Sequence, residues 1–351
     1  VVKADQIEPI RVEELLGRPQ VTLSSEDVND VVNGKIILVT GAGGSIGSEL
    51  CRQLLTRSPK TLLILDHSEF NLYSINNELI QKSKENGFVI KIVPILGSIL
   101  DWKLLKSSFK THSIDSVYHA AAYKHVPLVE DNIITGLENN VLGTYNLVTL
   151  AHRYSVSHFV NVSTDKAVRP TNVMGATKRL SELVIQGMAE YVRSQPKKGS
   201  INPAYTMVRF GNVLGSSGSV IPLFAKQIKE NNFITVTHKE VTRYFMTITE
   251  ASHLIIEAGF MAKGGEVFVL DMGEPVKIDD LAKRMIRLSG FTFSDYADKE
   301  FGDGHSIGIR YTGLRPGEKL YEELCLADEM IATKNSKIFQ ADEKFLTWQE
   351  V

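Results

Sequence analysis

Two regimes of apolar patterning alternate along most of this chain. Short, almost continuously apolar runs occupy residues 35–40, 61–66, 90–96, 116–120, 158–163 and 204–210. Between them, apolar residues recur at helical spacing over 45–55, 69–84, 102–110, 136–155 and 174–192. Uninterrupted apolar strands separated by helices predict a parallel sheet covered on both faces, the α/β doubly wound arrangement. A further helix at 248–261 and strand at 267–271 are expected to return to the same sheet. Residues 215–237 and 275–326 are less regular and richer in Gly, Pro and Arg, which suits a smaller interleaved lobe. The expected division is a lead-in over 1–33, a sheet domain over 34–212 with 240–271, and a substrate lobe over 213–239 with 272–351.

Composition narrows the function classes. Of 351 residues, 43% are hydrophobic and 23% charged, too apolar a balance for disorder. Lys plus Arg number 39 against 41 Asp plus Glu, without the basic excess that neutralises a row of phosphates, so nucleic acid is not an expected partner. No apolar run approaches the roughly 18–20 residues that span a bilayer. Cys51 and Cys325 make no disulfide framework or metal spacing, which favours a reducing compartment. The nine histidines include no HExxH, and His119 at a strand end is explained by packing, so no metal is expected. No G-x-S-x-G elbow occurs; Gly215-Ser216-Ser217-Gly218 reads as a loop. Cys51, Phe245 and Met246 read as core residues. The chain starts Val1-Val2 without Met or a signal peptide, which reads as a fragment of something longer.

Gly41, Gly44 and Gly47 fall directly between the first strand and the first helix. Backbone without Cβ at this turn lets a diphosphate sit against the amides of a helix N-terminus. The plain alternative is a tight turn, which the position after a first buried strand makes the lesser reading. Asp66 ends the second strand, and a carboxylate there accepts from a ribose 2′-hydroxyl and repels a 2′-phosphate. Residues 67–71, His-Ser-Glu-Phe-Asn, offer no Arg or Lys to a phosphate. NAD is therefore expected ahead of NADP on a Rossmann-type sheet.

Together with these glycines, His119-Ala120-Ala121-Ala122, Asn140 and Lys178 resemble an extended short-chain dehydrogenase/reductase. In that superfamily Lys178 belongs to a Tyr-x-x-x-Lys motif and holds the nicotinamide ribose. Here the Tyr position is Met174, which exchanges no proton. One subfamily shares the departure. Residues 163–178, Ser-Thr-Asp-Lys-Ala-Val-Arg-Pro-Thr-Asn-Val-Met-Gly-Ala-Thr-Lys, are similar to the UDP-N-acetylglucosamine 4,6-dehydratases of bacterial glycan synthesis. So are residues 122–127, 209–215, 242–246 and 314–319, and Met174 points to the membrane-anchored, C5-retaining branch. The resemblance implies cofactor contacts from Gly41, Gly44, Ser45, Ile46, Gly47, Asp66, Ser98, Ile99, Ala120, Ala121, Ala122, Asn140 and Lys178. It implies UDP-sugar contacts from Lys124, His125, Asn212, Arg243, Arg315 and Glu318, with the arginines on the diphosphate. Taken singly, each arginine reads as a surface ion pair worth under about 1 kcal/mol.

The chemistry of dehydration agrees with this donor set. H5 of a hexose is not acidic until C4 becomes a ketone; a base then removes H5, an acid protonates the departing C6 hydroxyl, and the hydride returns to C6. The resemblance gives Asp165 the acid role and Lys166 the base role. Elementary electrostatics pulls against this, because an adjacent Asp–Lys pair stabilises both charged forms, whereas a dry pocket disfavours both charges. The reverse assignment, Asp165 as base and Lys166 as acid, matches the resting charges and stays open. With Met174 in place of Tyr, Thr164 can relay the C4 proton, completed by Lys178 or water; its plain alternative is a strand-end hydroxyl satisfying backbone. A UDP-hexose 4-epimerase, or a dinucleotide sensor without catalysis, remain competing readings. Family likeness also implies self-association through helices beside the sheet, with 136–155 and 174–192 as candidates. It further makes residues 10–19 the connector to a missing membrane anchor, with the catalytic portion facing the cytoplasm.

Overall fold

The computed structural model describes residues 31–195, 203–230, 233–294, 306–326 and 330–351. The expected connector at 10–19 lies outside them. The chain divides into two compact units.

The larger unit is built on alternating strands and helices. These are β1 (Ile36–Thr40), α1 (Ser45–Leu55), β2 (Thr61–Asp66), α2 (Glu69–Glu85), β3 (Lys91–Leu96), α3 (Trp102–His112) and β4 (Ser116–His119). They continue as α4 (Val126–Asp131), α5 (Ile133–Leu137), a π-helical turn at Glu138–Leu142, α6 (Gly143–Arg153), β5 (His158–Val162), α7 (Val173–Ser194) and β6 (Ala204–Arg209). Strand order runs β3-β2-β1-β4-β5-β6 with every neighbour parallel, the order of a doubly wound sheet whose switch point falls between β1 and β4. β2 and β6 are buried at every position, as strands covered on both faces must be. Strand Val267–Leu270 joins β6 in parallel, as expected.

Three expectations need correction. Residues 240–250, expected in the sheet domain, belong to the smaller unit. The helix read over 136–155 is broken into α5, the π turn and α6, a single wide turn too local for the apolar pattern to announce. Residues 323–351 were expected in the smaller lobe, but Ile338–Ala341 pairs antiparallel with Val267–Leu270 and extends the large sheet. Its run of four residues is too short and mixed to announce a sheet strand.

The smaller unit comprises Gly211–Glu250 and Met272–Glu322. Its less regular text nevertheless folds two helices, Val220–Lys229 and Ile278–Leu288. Ile221, Phe224 and Ile228 from the first meet Leu281, Met285 and Ile286 from the second in a core of their own. Phe245 and Met246 are buried, as expected, and so is Cys51 in the larger unit. Among the described residues no helix is long and apolar enough to cross a membrane.

Candidate active site

The turn after β1 is steric necessity made visible. Gly41 has φ +66°, and a Cβ there would lie 2.8 Å from the Ala120 carbonyl group and Ala121 Cα. A Cβ on Gly47 would lie 2.0 Å from the Gly41 carbonyl oxygen. Gly44 caps α1 with no side-chain capping hydrogen bond, placing Ser45, Ile46 and Gly47 in its first turn, where amides lack intrahelical acceptors. Asp66 accepts from Gly43 N through Oδ2 at 2.9 Å and from Ser68 N through Oδ1 at 2.8 Å. Its buried carboxylate is thus aimed by backbone, and each oxygen keeps a further lone pair. A cleft lined by Gly41, Leu65, Asp66, His67, Gly97, Ser98, Ile99, Ala121 and Asn139 opens here. This bare-backbone cradle ending in a fixed carboxylate is a shape and donor set that could hold a dinucleotide. Leu65, His67, Gly97 and Asn139 were not singled out from sequence.

Asn140 does not line that cleft. Its amide accepts from Tyr123 N at 2.8 Å and donates to the Tyr123 carbonyl at 3.0 Å and Thr177 Oγ1 at 2.9 Å. It therefore ties the π turn to the segment after β4 and to α7. Ala120 leaves β4 with its N–H on the Thr40 carbonyl, and Ala122 leads to Tyr123. Lys124 and His125 follow at the start of α4. Surrounding protein lowers both below their ordinary ranges, His125 also through the Lys124 charge, although both keep an exposed edge. His119 does more than pack. Its ring bridges Thr40 Oγ1 at 2.7 Å and Thr144 Oγ1 at 3.0 Å, and burial, aided by the Lys178 charge, pushes it down to about 3.

Beyond β5 the chain tightens into a 3₁₀ turn at Asp165–Ala167, capped by Thr164. The Thr164 hydroxyl donates to Asp165 Oδ1 at 2.9 Å, and Lys166 Nζ donates to the same oxygen at 2.9 Å. Asp165 is fully buried, and its Oδ2 has no hydrogen-bond partner. Two donors on one oxygen and none on the other leave Oδ2 of this buried carboxylate able to accept a further hydrogen bond. α7 closes on this turn. Asn172 Oδ1 caps it by accepting from Gly175 N at 2.8 Å, and a Cβ on Gly175 would lie 2.3 Å from the Lys166 carbonyl oxygen. Met174 is buried beside it, and Lys178 Nζ donates to the Val162 carbonyl at 2.8 Å. Burial lowers Lys178 to about 8, against an opposing pull from Glu182. The structure thus gathers Thr164, Asp165, Lys166, Met174 and Lys178 around one strand end.

Sequence reasoning missed what lies under that strand end. Ser163 Oγ donates to Glu182 Oε1 at 2.6 Å, and Arg209 Nε donates to the same oxygen at 2.7 Å. Glu343 pairs with Arg209 from the C-terminal segment. Burial raises the Glu182 carboxyl, but the Arg209 and Ser163 hydrogen bonds outweigh it and hold the group below its ordinary range.

Within the smaller unit, Arg243, Arg315 and Glu318 come together. Arg243 donates to the Thr242 carbonyl at 2.7 Å and to Glu318 Oε1 at 3.1 Å. Glu318 also accepts from Thr237 Oγ1 at 2.9 Å and from Arg315 N at 3.2 Å. Gly317, at φ +73°, makes this turn possible. The Arg315 side chain is exposed. Asn212 stands on the two-residue strand paired with Phe245–Met246, its N–H on the Tyr244 carbonyl.

Comparison with known proteins follows the same outline. The family described as polysaccharide biosynthesis protein matches residues 37–343. The capsular polysaccharide biosynthesis protein CapD of Staphylococcus aureus is 49% identical over 329 residues, covering 94% of this chain and 51% of that protein. The chain therefore spans about half the length of that relative. A UDP-glucose 4-epimerase of Rickettsia felis is 31% identical over 300 residues, covering 84% of this chain and 79% of its own. The X-ray structure of Pen from Bacillus thuringiensis superimposes with a TM-score of 0.71 at 36% identity, over 84% of each chain.

Proposed function

The chain belongs to the polysaccharide biosynthesis protein family, and from that premise we propose that it is a hydro-lyase, a UDP-N-acetylglucosamine 4,6-dehydratase, using NAD. The observation that carries the reading is the Thr164-Asp165-Lys166 turn, with Asp165 buried and Thr164 and Lys166 half-buried, which supplies two proton-transfer groups where an epimerase needs only one. When bound, NAD supplies reversible hydride acceptance at C4 and delivery at C6. Every other requirement falls to side chains of this chain.

Thr164 is the group able to take the C4 hydroxyl proton, and its own proton already points at Asp165 Oδ1. Passing that proton to Asp165 leaves the carboxyl neutral and ready to protonate the departing C6 hydroxyl, which eases the electrostatic conflict of an acid beside a lysine. Lys166, deprotonated, removes H5 and later returns a proton to C5. Atoms balance: the C4 hydroxyl proton leaves with the C6 oxygen as water, and H5 is exchanged through the amine. Met174, buried and without a titratable group, leaves the C4 proton no competing acceptor at that position. Lys178 is read as the nicotinamide ribose anchor, and Asp66 as the acceptor for the adenosine ribose, which favours NAD over NADP. Lys124, His125 and Asn212 are read as substrate contacts. Arg243 and Arg315 are assigned to the UDP diphosphate and Glu318 to the uridine ribose. A membrane-anchored parent, a cytoplasmic face and self-association belong to the same reading.

A UDP-hexose 4-epimerase is the second reading, favoured by the likeness to the Rickettsia felis protein. Incubation with UDP-N-acetylglucosamine in D₂O separates the two. A dehydratase yields a product lighter by one water with deuterium at C5 and no net NADH. An isomeric sugar of unchanged skeleton without C5 deuterium supports the epimerase instead. No turnover supports a sensor.

A further inference from the structure

Buried ion pairs are poor stabilisers, since taking charges out of water costs much of what their attraction returns. The larger unit nonetheless buries Glu182 and Arg209 completely and Glu343 almost so. Arg209 donates to Glu182 Oε2 at 2.6 Å and to Glu343 Oε2 at 2.8 Å. Arg179 adds a second cation, 3.0 Å from Glu182 and 3.2 Å from Glu343, so the four charges sum to zero.

The location of this cluster is more telling than its energy. Ser163 N–H donates to the Val208 carbonyl at 2.7 Å, and Asp165 N–H donates to the Phe210 carbonyl at 3.0 Å. Arg209 is the residue between those two carbonyls. Its side chain reaches Glu182, which holds the Ser163 hydroxyl, and Glu182 lies one helical turn after Lys178, which holds the Val162 carbonyl. Consecutive residues Val162 and Ser163 are therefore gripped by consecutive turns of α7, and the next three residues carry the proton-transfer groups. Glu343 reaches this frame from 134 residues beyond Arg209.

We propose that Glu343 is a positioning residue for the Thr164-Asp165-Lys166 turn, acting through Arg209 and Glu182 on Ser163. The proposal rests on the dehydratase reading for its kinetic readout alone. With Glu343 in place, Arg209 is held between two carboxylates and Glu182 keeps one geometry beneath Ser163. Without it, Arg209 follows Glu182 alone and the strand end gains freedom. Misplacement of a reacting group by an ångström costs up to about 100-fold in rate, so a frame of this kind acts on kcat rather than on substrate binding.

Amide hydrogen exchange and steady-state kinetics on the full chain test this with Glu343→Gln, Glu343→Asp and Ser163→Ala. In Glu343→Gln, amides 163–168 are expected to exchange at least about tenfold faster while those of β1 and β2 keep their protection. In the same variant kcat falls about 10- to 100-fold at unchanged KM, and Glu343→Asp restores part of both. Ser163→Ala removes one hydroxyl without disturbing the ion pairs and is expected to reproduce the local exchange, which covers a Glu343→Gln chain that does not fold. Unchanged protection at 163–168, or an equal loss across the whole sheet, overturns the proposal. The exchange result is read with or without turnover, so an inactive wild type counts against the dehydratase reading and not against this one.

Discussion

Asp165 has one oxygen saturated by Thr164 and Lys166 and the other bare, and this asymmetry sets the expected behaviour of each neighbour. Thr164→Val removes the hydroxyl that connects the C4 proton to Asp165 and is expected to lower kcat at least about 100-fold, the scale of one positioned proton-transfer group, with NAD binding intact. Full activity in that variant removes Thr164 from the relay. Deuterium exchange at C5 of the 4-keto product, which needs no prior oxidation at C4, assigns the base: Lys166→Ala should abolish it and Asp165→Asn should preserve it, whereas the opposite pattern reverses the two roles. Lys178 gives a pH signature. Its ordinary value of 10.5 falls to about 8 on folding because burial disfavours the charged form. Below pH 8 both folded and unfolded chains carry the proton and the burial cost is paid in full; between pH 8 and 10.5 only the unfolded chain keeps it. Stability relative to Lys178→Met should therefore rise with pH across that window, with a slope approaching about 1.4 kcal/mol per pH unit. Paired urea titrations at pH 7, 8, 9 and 10 measure it, and a flat difference contradicts the burial of a depressed lysine.

At the scale of elements, α7 is the organiser, because Gly175, Lys178 and Glu182 each touch the strand end or the turn that follows β5. Gly175→Ala forces a Cβ against the Lys166 carbonyl and is expected to cost about 1–3 kcal/mol in stability, the usual range for overpacking, together with a loss of kcat; differential scanning calorimetry and assay read both. Strands β1, β2 and β4 to β6 were legible in the sequence because strands buried on both faces are written as unbroken apolar runs, and the edge strand β3 was legible through its own apolar run although only Ile95 is buried. The glycine turn was legible for a similar reason, since its spacing is a steric requirement. The proton-transfer residues stood out through likeness to a family and not through periodicity. What stayed hidden depends on tertiary meeting. Nothing in the local text at Glu182 or Glu343 distinguishes them from solvent-exposed charges, Arg209 stands at the end of an apolar run that does not name its partners, and the π turn that aims Asn140 at Tyr123 and Thr177 is a single wide turn too local to read. The antiparallel strand Ile338–Ala341 escaped because four residues carry too little pattern.

At the scale of the whole molecule, the chain presents a glycine-lined cleft in one unit and a guanidinium–carboxylate cluster in the other. Their proposed division of labour makes an experiment with a sharp contrast. Arg315→Ala should raise KM for the UDP-sugar at least about tenfold, since charge-assisted contacts to phosphate are among the stronger hydrogen bonds, while leaving NAD affinity unchanged. Equal loss of both points to misfolding. The chain covers about half the length of its Staphylococcus aureus relative, and the proposed reaction is tested on this chain itself. Transfer of label from UDP-N-acetylglucosamine deuterated at C4 reads that chemistry directly. A dehydratase delivers the deuterium to the C6 methyl group of a product one water lighter; deuterium found still at C4, in an isomeric hexose of unchanged mass, contradicts the proposed reaction.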